Sequence, residues 1–159
     1  MYRTIVTMGL ALLLAIGVRA QAQVEVKELS EEVQAEQLLA HITHPYRGKK
    51  VLIDCWNTWC GPCMRAMQSI HPLKEELTEV VYLYVADTSS PELLWRKSIE
   101  KIPGVHYRIS ARQSYDFFLL QGFQGIPAYI VVNEEGDVTY RCVGFPGVKT
   151  LRRELTKEE

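Results

Sequence analysis

The sequence predicts an α/β domain in which a mixed β-sheet lies between layers of helices. Two apolar runs of strand length, 51–56 and 80–86, are each followed by a helical pattern, as in a parallel strand–helix–strand unit. Two later strand patterns, 128–133 and 138–143, are joined by the turn Glu135-Gly136 and predict a hairpin. The chain has 159 residues, of which 47% are hydrophobic, and this is enough for one buried core.

The first 22 residues have the pattern of an export signal. Arg3 precedes an almost uninterrupted apolar run from Ile5 to Val18, and Ala20-Gln21-Ala22 fits the small-x-small rule of signal peptidase. The apolar run is shorter than the roughly 20 residues needed to cross a bilayer. We therefore predict a signal peptide over 1–22, cleaved near Ala22, and a periplasmic or secreted mature protein. An uncleaved membrane anchor is the alternative.

Residues 23–45 predict an N-terminal extension with one short helix. An alternating stretch begins at Val24, and a helix over Glu31–Ile42 follows with Ser30 as its N-cap. His44-Pro45 ends this helix. The next run, 51–56, is apolar on both faces and predicts a central buried strand.

The remaining elements follow in order. A helix begins at Pro62, and Pro72 is expected to kink it. After strand 80–86, Pro91 opens a helix whose expected packed face is Leu93, Leu94 and Ile99. The domain is completed by a short strand, a helix, the hairpin and a last helix, predicted at 105–109, 112–120, 128–143 and 148–156.

The sequence Trp59-Cys60-Gly61-Pro62-Cys63 is the centre of the predicted function. It places two thiols two residues apart at the start of a helix, where free N–H groups and the helix dipole lower a thiol pKa. The thiolate is the species that attacks a disulfide. Pro62 suits the first helical turn, and Gly61 permits close approach of a substrate backbone. A loop this short gains little from a structural disulfide, so we predict a redox-active disulfide, Cys60–Cys63, without another cofactor.

Other functions of a CxxC pair fit less well. Half of a zinc site has the same spacing, but no second CxxC or His pair stands at ligand spacing, so we predict no resident metal. Met64 follows Cys63 where a haem-attachment motif has His. The net charge of −1 gives no electrostatic footprint for nucleic acid. We expect a monomer.

The run Val51-Leu52-Ile53-Asp54-Cys55-Trp56, leading into the CxxC motif, resembles the signature of the thioredoxin superfamily. The export signal and the long segment 87–125 resemble its TlpA/ResA branch, the thiol–disulfide oxidoreductases of the bacterial envelope. The resemblance covers about 46–152. It implies a thioredoxin-like three-layer sandwich over 46–159, with an insertion around 87–125 where partner choice is expected to reside.

The resemblance also implies roles for matching positions. Cys60 would be the nucleophile, Cys63 the buried resolving thiol, and Asp54 the buried acid that manages the proton of Cys63. Burial raises a carboxyl pKa, which suits a base near neutral pH. A solvent-facing aspartate at the strand end is the alternative. Pro127 aligns with the cis-proline that faces the active site, and Ile126 before it would offer its backbone to an extended substrate.

The resemblance and the strand pattern also give expectations for several other residues. Trp56 and Trp59 match aromatics that wall the site, although core packing explains Trp56 equally well. The family commonly has a kinking proline where this chain has Gln68.

Cys55 should face away from Asp54, because side chains alternate along a strand. We expect Cys55 and Cys142 to be buried, unreactive thiols, with a structural or regulatory disulfide as the alternative, and we place three histidines at the surface or at helix ends: His41, His71 and His106.

These observations predict an exported reductase of protein disulfides, because Gly-Pro between the cysteines resembles the reducing thioredoxins. Its partners would be disulfide-containing exported proteins and, as electron donor, a membrane thiol protein. One alternative is a thioredoxin-like metallochaperone, since thiolates suit Cu(I) and also bind zinc. A copper carrier should add a third ligand, and no candidate stands out.

A peroxidase would need a Thr and a Pro at set positions before its cysteine. Thr58 lies only two residues before Cys60, and no such Pro is present.

Overall fold

The computed structural model describes residues 23–157, so the predicted signal peptide lies outside the described residues. Within this range the chain forms a sheet of six strands: β1 Val24–Lys27, β2 Val51–Cys55, β3 Val81–Asp87, β4 Gly104–Ile109, β5 Ala128–Val132 and β6 Val138–Val143. The helices of this range are α1 Ala35–Thr43, α2 Gly61–Glu76, α3 Glu92–Ile99, α4 Ala111–Gln121 and α5 Val148–Thr156, with a 3₁₀ turn at His44–Tyr46.

The strands lie in the order β1-β4-β3-β2-β5-β6. The pairs β1–β4, β4–β3 and β3–β2 are parallel, whereas β5 pairs antiparallel with both β2 and β6. The mixed sheet and its hairpin are therefore confirmed. Because β2 and β3 are parallel neighbours, the loops that leave their carboxyl ends lie side by side at one edge of the sheet.

Alternation along β2 divides the core into two layers. Leu52 and Trp56 pack with buried residues of α2, α3 and α5 on one face. Ile53 and Cys55 pack with residues of α1 and α4 on the other face. The predicted three-layer sandwich is confirmed, and both thiols of the CxxC pair belong to the first layer.

Helix α1 begins later than predicted. It starts at Ala35 rather than at Glu31, and its N-cap residue makes no side-chain capping bond. The hydroxyl of Ser30 instead accepts the backbone N–H of Glu32 at 3.2 Å and closes a local turn. Ser and Thr hydroxyls often favour such turns over helix starts. Leu38 of α1 is fully buried, so the predicted extension contributes to the main core.

The burial predicted for helix α3 is right for Ile99 and wrong for its two leucines, and the burial predicted for His106 is wrong. Helix α3 buries Trp95 and Ile99, while Leu93 and Leu94 are exposed. Trp95 and Ile99 are one helical turn apart, and the large indole determines which face turns inward. His106, expected at the surface, has no exposed area because β4 lies inside the sheet between β1 and β3.

Helix α2 is continuous from Gly61 to Glu76 and contains Pro72. Gln68, where the family commonly has a proline, and Pro72, where this chain has one, are both exposed. Both positions therefore lie on the solvent side of the helix. No helix among residues 23–157 is both long and apolar enough to span a bilayer.

Gly104, at the start of β4, is a position where only glycine fits. Its φ is +141°, and a Cβ there would lie 2.7 Å from both the carbonyl oxygen of Tyr82 and the ring of Tyr84. We expect Gly104→Ala to lower the free energy of unfolding by about 3 kcal/mol, through backbone strain and overlap with the Tyr82 carbonyl and the Tyr84 ring. Urea unfolding followed by circular dichroism measures this.

Gly122→Ala is the matched control. Gly122 also has a positive φ, +72°, but a Cβ there would meet nothing within 4 Å. Its expected loss is only about 1 kcal/mol, the cost of the left-handed conformation alone. Equal losses in the two variants would contradict the proposed overlap at Gly104.

Candidate active site

Cys60 and Cys63 are joined in a disulfide at the N-terminus of α2, with a sulfur–sulfur distance of 2.00 Å. Cys60 is 4% exposed and Cys63 is fully buried. Gly61 and Pro62, between them, are exposed and form the first turn of the helix. Cys60 is thus the cysteine nearer to solvent. The pair borders solvent on the side of Gly61 and Pro62.

Cys60 is the N-cap residue of α2. Its Sγ accepts the backbone N–H of Cys63 at 3.2 Å. A sulfur in this position is stabilised as an anion, because it faces an unpaired N–H group at the positive end of the helix dipole. When the disulfide is reduced, this geometry favours the thiolate at Cys60, the form that attacks disulfides.

Asp54 is buried in the middle of the sheet, with 2% of its surface exposed. Its neighbours across the sheet are Tyr84 on β3 and Tyr129 on β5. Within residues 23–157 neither carboxylate oxygen has a hydrogen-bond partner. Burial raises the pKa of Asp54 to about 8, against a smaller opposing effect of Lys74. The alternative of a solvent-facing aspartate is therefore wrong.

Lys74 of α2 is the cation whose charge lowers the pKa of Asp54. Its Nζ donates to the hydroxyl of Tyr84 at 2.9 Å and to the carbonyl of Pro103. Burial lowers the pKa of Lys74 to about 8, and the Asp54 charge partly offsets this. The pKa values of the Asp54 carboxyl and the Lys74 ammonium therefore lie close together near neutral pH.

The Ile126-Pro127 peptide bond is cis, as the resemblance implied. Pro127 is buried and Ile126 is half-buried. Trp56 is 1% exposed and packs in the core, whereas Trp59 is 62% exposed. A groove of about 390 Å³ is lined by both indoles, by Ile126 and by α4, so it runs from the cysteine loop toward the cis-proline segment.

The other two cysteines are not bonded to each other. Cys55 is buried on the opposite face of β2 from Asp54, as predicted, and burial raises the pKa of its thiol. Cys142 is half-buried rather than buried. Among the residues that the structure describes, no group of three or more His, Cys, Asp or Glu side chains could hold a metal ion.

The model of one protein family, described as Redoxin, matches residues 21–155. This range includes all six strands of the sheet and the CxxC pair. The chain belongs to the Redoxin family.

Curated relatives of this Redoxin-family chain are thiol–disulfide proteins. It is 28% identical over 110 residues to the thiol:disulfide interchange protein DsbE of Haemophilus influenzae. The aligned region covers 69% of this chain and 59% of that relative. It is 27% identical over 92 residues to the thiol-disulfide oxidoreductase ResA of Halalkalibacterium halodurans, covering 57% and 52%. The chain thus spans between half and three fifths of the length of these relatives.

A solved structure with the same fold is the thioredoxin domain of a thiol-disulfide oxidoreductase from Bacteroides vulgatus. The superposition has a TM-score of 0.61 at 19% identity and covers 71% of this chain and 84% of that one. The thioredoxin-like fold predicted from the motif is therefore confirmed.

Sequence reasoning missed two parts of this Redoxin site. Lys74 lies four residues after the buried Ile70, so the helical period already placed it on the packed face of α2. Asn57, just after β2, is 4% exposed and bonds to Asp87, the last residue of β3, and to Ser90 in the loop that follows β3. No sequence spacing indicated these contacts, since they join residues about thirty positions apart.

Proposed function

We propose that this protein is an exported thiol–disulfide oxidoreductase that reduces disulfides in other exported proteins. The observation that carries the proposal is the Cys60–Cys63 disulfide at the N-terminus of α2, on the same face of the sheet as buried Asp54. The names of the curated relatives, thiol:disulfide interchange protein and thiol-disulfide oxidoreductase, support the same chemistry.

The first step is attack by the Cys60 thiolate on one sulfur of a substrate disulfide. A new bond forms between Cys60 Sγ and that sulfur, and the second substrate sulfur leaves as a thiolate that takes up a proton. The N–H of Cys63 stabilises the attacking anion. The exposed Gly61-Pro62 turn and Trp59 leave this side open to a polypeptide.

The second step releases the substrate. Cys63 loses its proton to the Asp54 carboxylate, directly or through water, and attacks Cys60 Sγ. This attack reforms the Cys60–Cys63 disulfide and expels the remaining substrate sulfur as a thiolate. Two electrons have then passed from the enzyme dithiol to the substrate. Asp54 can accept this proton near neutral pH because burial raises its pKa to about 8. Lys74 keeps part of the Asp54 population ionised.

Each turnover leaves the enzyme oxidised, so a dithiol donor must reduce it again. We propose that the donor is a membrane thiol protein, because a chain exported through the predicted signal peptide would be separated from the reductants of the cytosol. The Gly-Pro dipeptide supports the reducing direction. A reduction potential near −120 mV, about that of a strong oxidant of the DsbA type, would contradict this direction when measured against glutathione buffers.

Trapping of substrates tests the proposal directly. In Cys63→Ala the first step remains and the second is lost, so mixed disulfides with Cys60 should accumulate when the variant is expressed in a bacterial envelope. Non-reducing electrophoresis followed by mass spectrometry identifies them. We expect discrete adducts that dithiothreitol removes.

The double variant Cys60→Ser, Cys63→Ala is the matched control and should form none of these adducts. Equal adducts in both variants, or none in either, would contradict an exchange mechanism through Cys60. Stoichiometric copper or zinc on the purified reduced protein, without adducts, would support the metallochaperone hypothesis instead.

A further inference from the structure

The loop that carries Cys60 is fixed by polar side chains that the exchange steps do not use. The Oδ1 atom of Asn57 accepts the backbone N–H of Asp87 at 3.1 Å and the hydroxyl of Ser90 at 2.8 Å. The same Ser90 hydroxyl accepts the backbone N–H of Thr58 at 2.9 Å. Asn57 and Ser90 are 4% and 0% exposed, so these bonds are shielded from water.

The Asp87 carboxylate is the centre of this network. Its Oδ1 atom accepts the backbone N–H of Ser89 at 2.7 Å. Its Oδ2 atom accepts the amide of Asn57 at 3.2 Å and the hydroxyl of Ser114 at 3.0 Å. Burial acts to raise the pKa of Asp87, but these hydrogen bonds together lower it. One ionised carboxylate therefore joins the cysteine loop, the loop after β3, and helix α4.

The network ends at the exposed indole beside the nucleophile. The Nε1–H of Trp59 donates to the hydroxyl of Ser89 at 3.0 Å, and the backbone of Ser89 is held by Asp87. The ring of Trp59 lines the groove together with Tyr115 and Leu119 of α4, which are each 69% exposed. An indole with 62% of its surface exposed would otherwise be free to rotate.

We propose that Asp87 is a positioning residue that acts through Ser89 to fix the Trp59 ring against the groove, ready for the polypeptide around a substrate disulfide. This inference rests on the proposed function for its kinetic consequence. A ring already fixed need not be ordered when substrate binds, and ordering one side chain weakens binding by roughly three- to tenfold. A small disulfide that reaches only Cys60 would gain nothing from a fixed ring.

The test compares Asp87→Asn and Ser89→Ala with the wild-type protein. Ser89→Ala removes the bond to Trp59 and leaves the carboxylate in place. For both variants we expect KM for insulin, with dithiothreitol as donor, to rise at least threefold with kcat little changed. In Ser89→Ala, which keeps the Asp87 carboxylate and its bonds to Asn57 and Ser114, the rate with oxidised glutathione should be unaltered. Fluorescence anisotropy should fall, and this reports on Trp59 because Trp56 and Trp95 are 1% and 2% exposed and held by packing.

Asp116→Asn is the matched control, since Asp116 lies on the same helix as Ser114 and pairs with Arg112, one turn earlier, at 2.5 Å. It should keep the wild-type KM and anisotropy. Unchanged anisotropy in Ser89→Ala, or a KM change below threefold in both test variants, would overturn the inference. Equal loss with insulin and glutathione would also overturn it, because that result indicates general damage. A wild-type protein inactive on insulin would overturn the proposed function, and anisotropy would still decide whether Ser89 fixes Trp59.

Discussion

Replacing Cys60 with serine is expected to reduce disulfide exchange to the uncatalysed rate. A serine hydroxyl stays protonated at neutral pH and does not attack sulfur, whereas the Cys60 sulfur faces the N–H of Cys63 and is favoured as a thiolate. Reduction of insulin with dithiothreitol as donor measures the loss. Titration of the remaining thiols in the reduced variant confirms that Cys63 is still present.

Cys142→Ser is the control for this variant. Cys142 is a free, half-buried thiol that lies on β6 and is not bonded to the pair. We expect it to keep wild-type activity. Substantial activity in Cys60→Ser, or its loss in Cys142→Ser, would show that the nucleophile has been assigned to the wrong sulfur.

Asp54→Asn is expected to stabilise the oxidised protein at pH 7 and also to slow its catalysis. The pKa of Asp54 is 3.8 when unperturbed and about 8 in the fold. A carboxyl group whose pKa is raised by folding contributes its full stability below pH 3.8, and this contribution is lost as pH rises through 8. At pH 7 the buried carboxyl therefore opposes folding by about 4 kcal/mol.

Asparagine has nearly the same shape and no charge, so it removes this opposition. The ionised fraction of Asp54, which is the minor one at pH 7, also supports the charge of Lys74, and its loss offsets a small part of the gain. We expect a net increase in the free energy of unfolding of about 2 to 4 kcal/mol at pH 7, falling toward zero near pH 4. Urea unfolding at both pH values measures it. A gain of the same size at both pH values would contradict an origin in the carboxyl charge.

The catalytic effect of Asp54→Asn has the opposite sign. Without the carboxylate, the proton of Cys63 has no buried acceptor, and we expect release of glutathione from a Cys60–glutathione mixed disulfide to slow by roughly 100-fold. The initial attack by Cys60 on oxidised glutathione should change little, because its stabilising N–H belongs to the backbone. An equal loss in both steps would contradict the role assigned to Asp54.

Local patterns were sufficient for most of the fold. The hairpin strand Val138–Val143 and the last helix Val148–Thr156 match their predicted bounds. Both depend on signals within a few residues of each other: turn residues, alternation, and helical period. The start of α1 and the packed face of α3 were wrong for the same reason. In α1, the Ser30 hydroxyl can either cap a helix or close a turn, and the two differ little in free energy. In α3, either the leucines or the Trp95 indole could face the core, and the residue pattern does not distinguish these two arrangements.

The motif and its resemblance determined the chemistry of the pair. Cys60, Cys63, Asp54 and Pro127 were all chosen from the sequence, and the structure places the cysteines in a disulfide, buries Asp54 and gives Pro127 a cis bond. Burial of His106 could not be foreseen, because it depends on β4 entering the sheet between β1 and β3.

By itself, then, the sequence determined that this chain folds as an α/β sandwich around a redox pair, because CxxC spacing and apolar periodicity are encoded within short segments. Only the tertiary structure decided how that pair is supported. Lys74 approaches Asp54 from α2, and Asp87 joins Asn57 to Ser114 across three elements. Such contacts depend on how parallel strands and helices are placed beside one another, and residues thirty positions apart carry no local signal that they will meet.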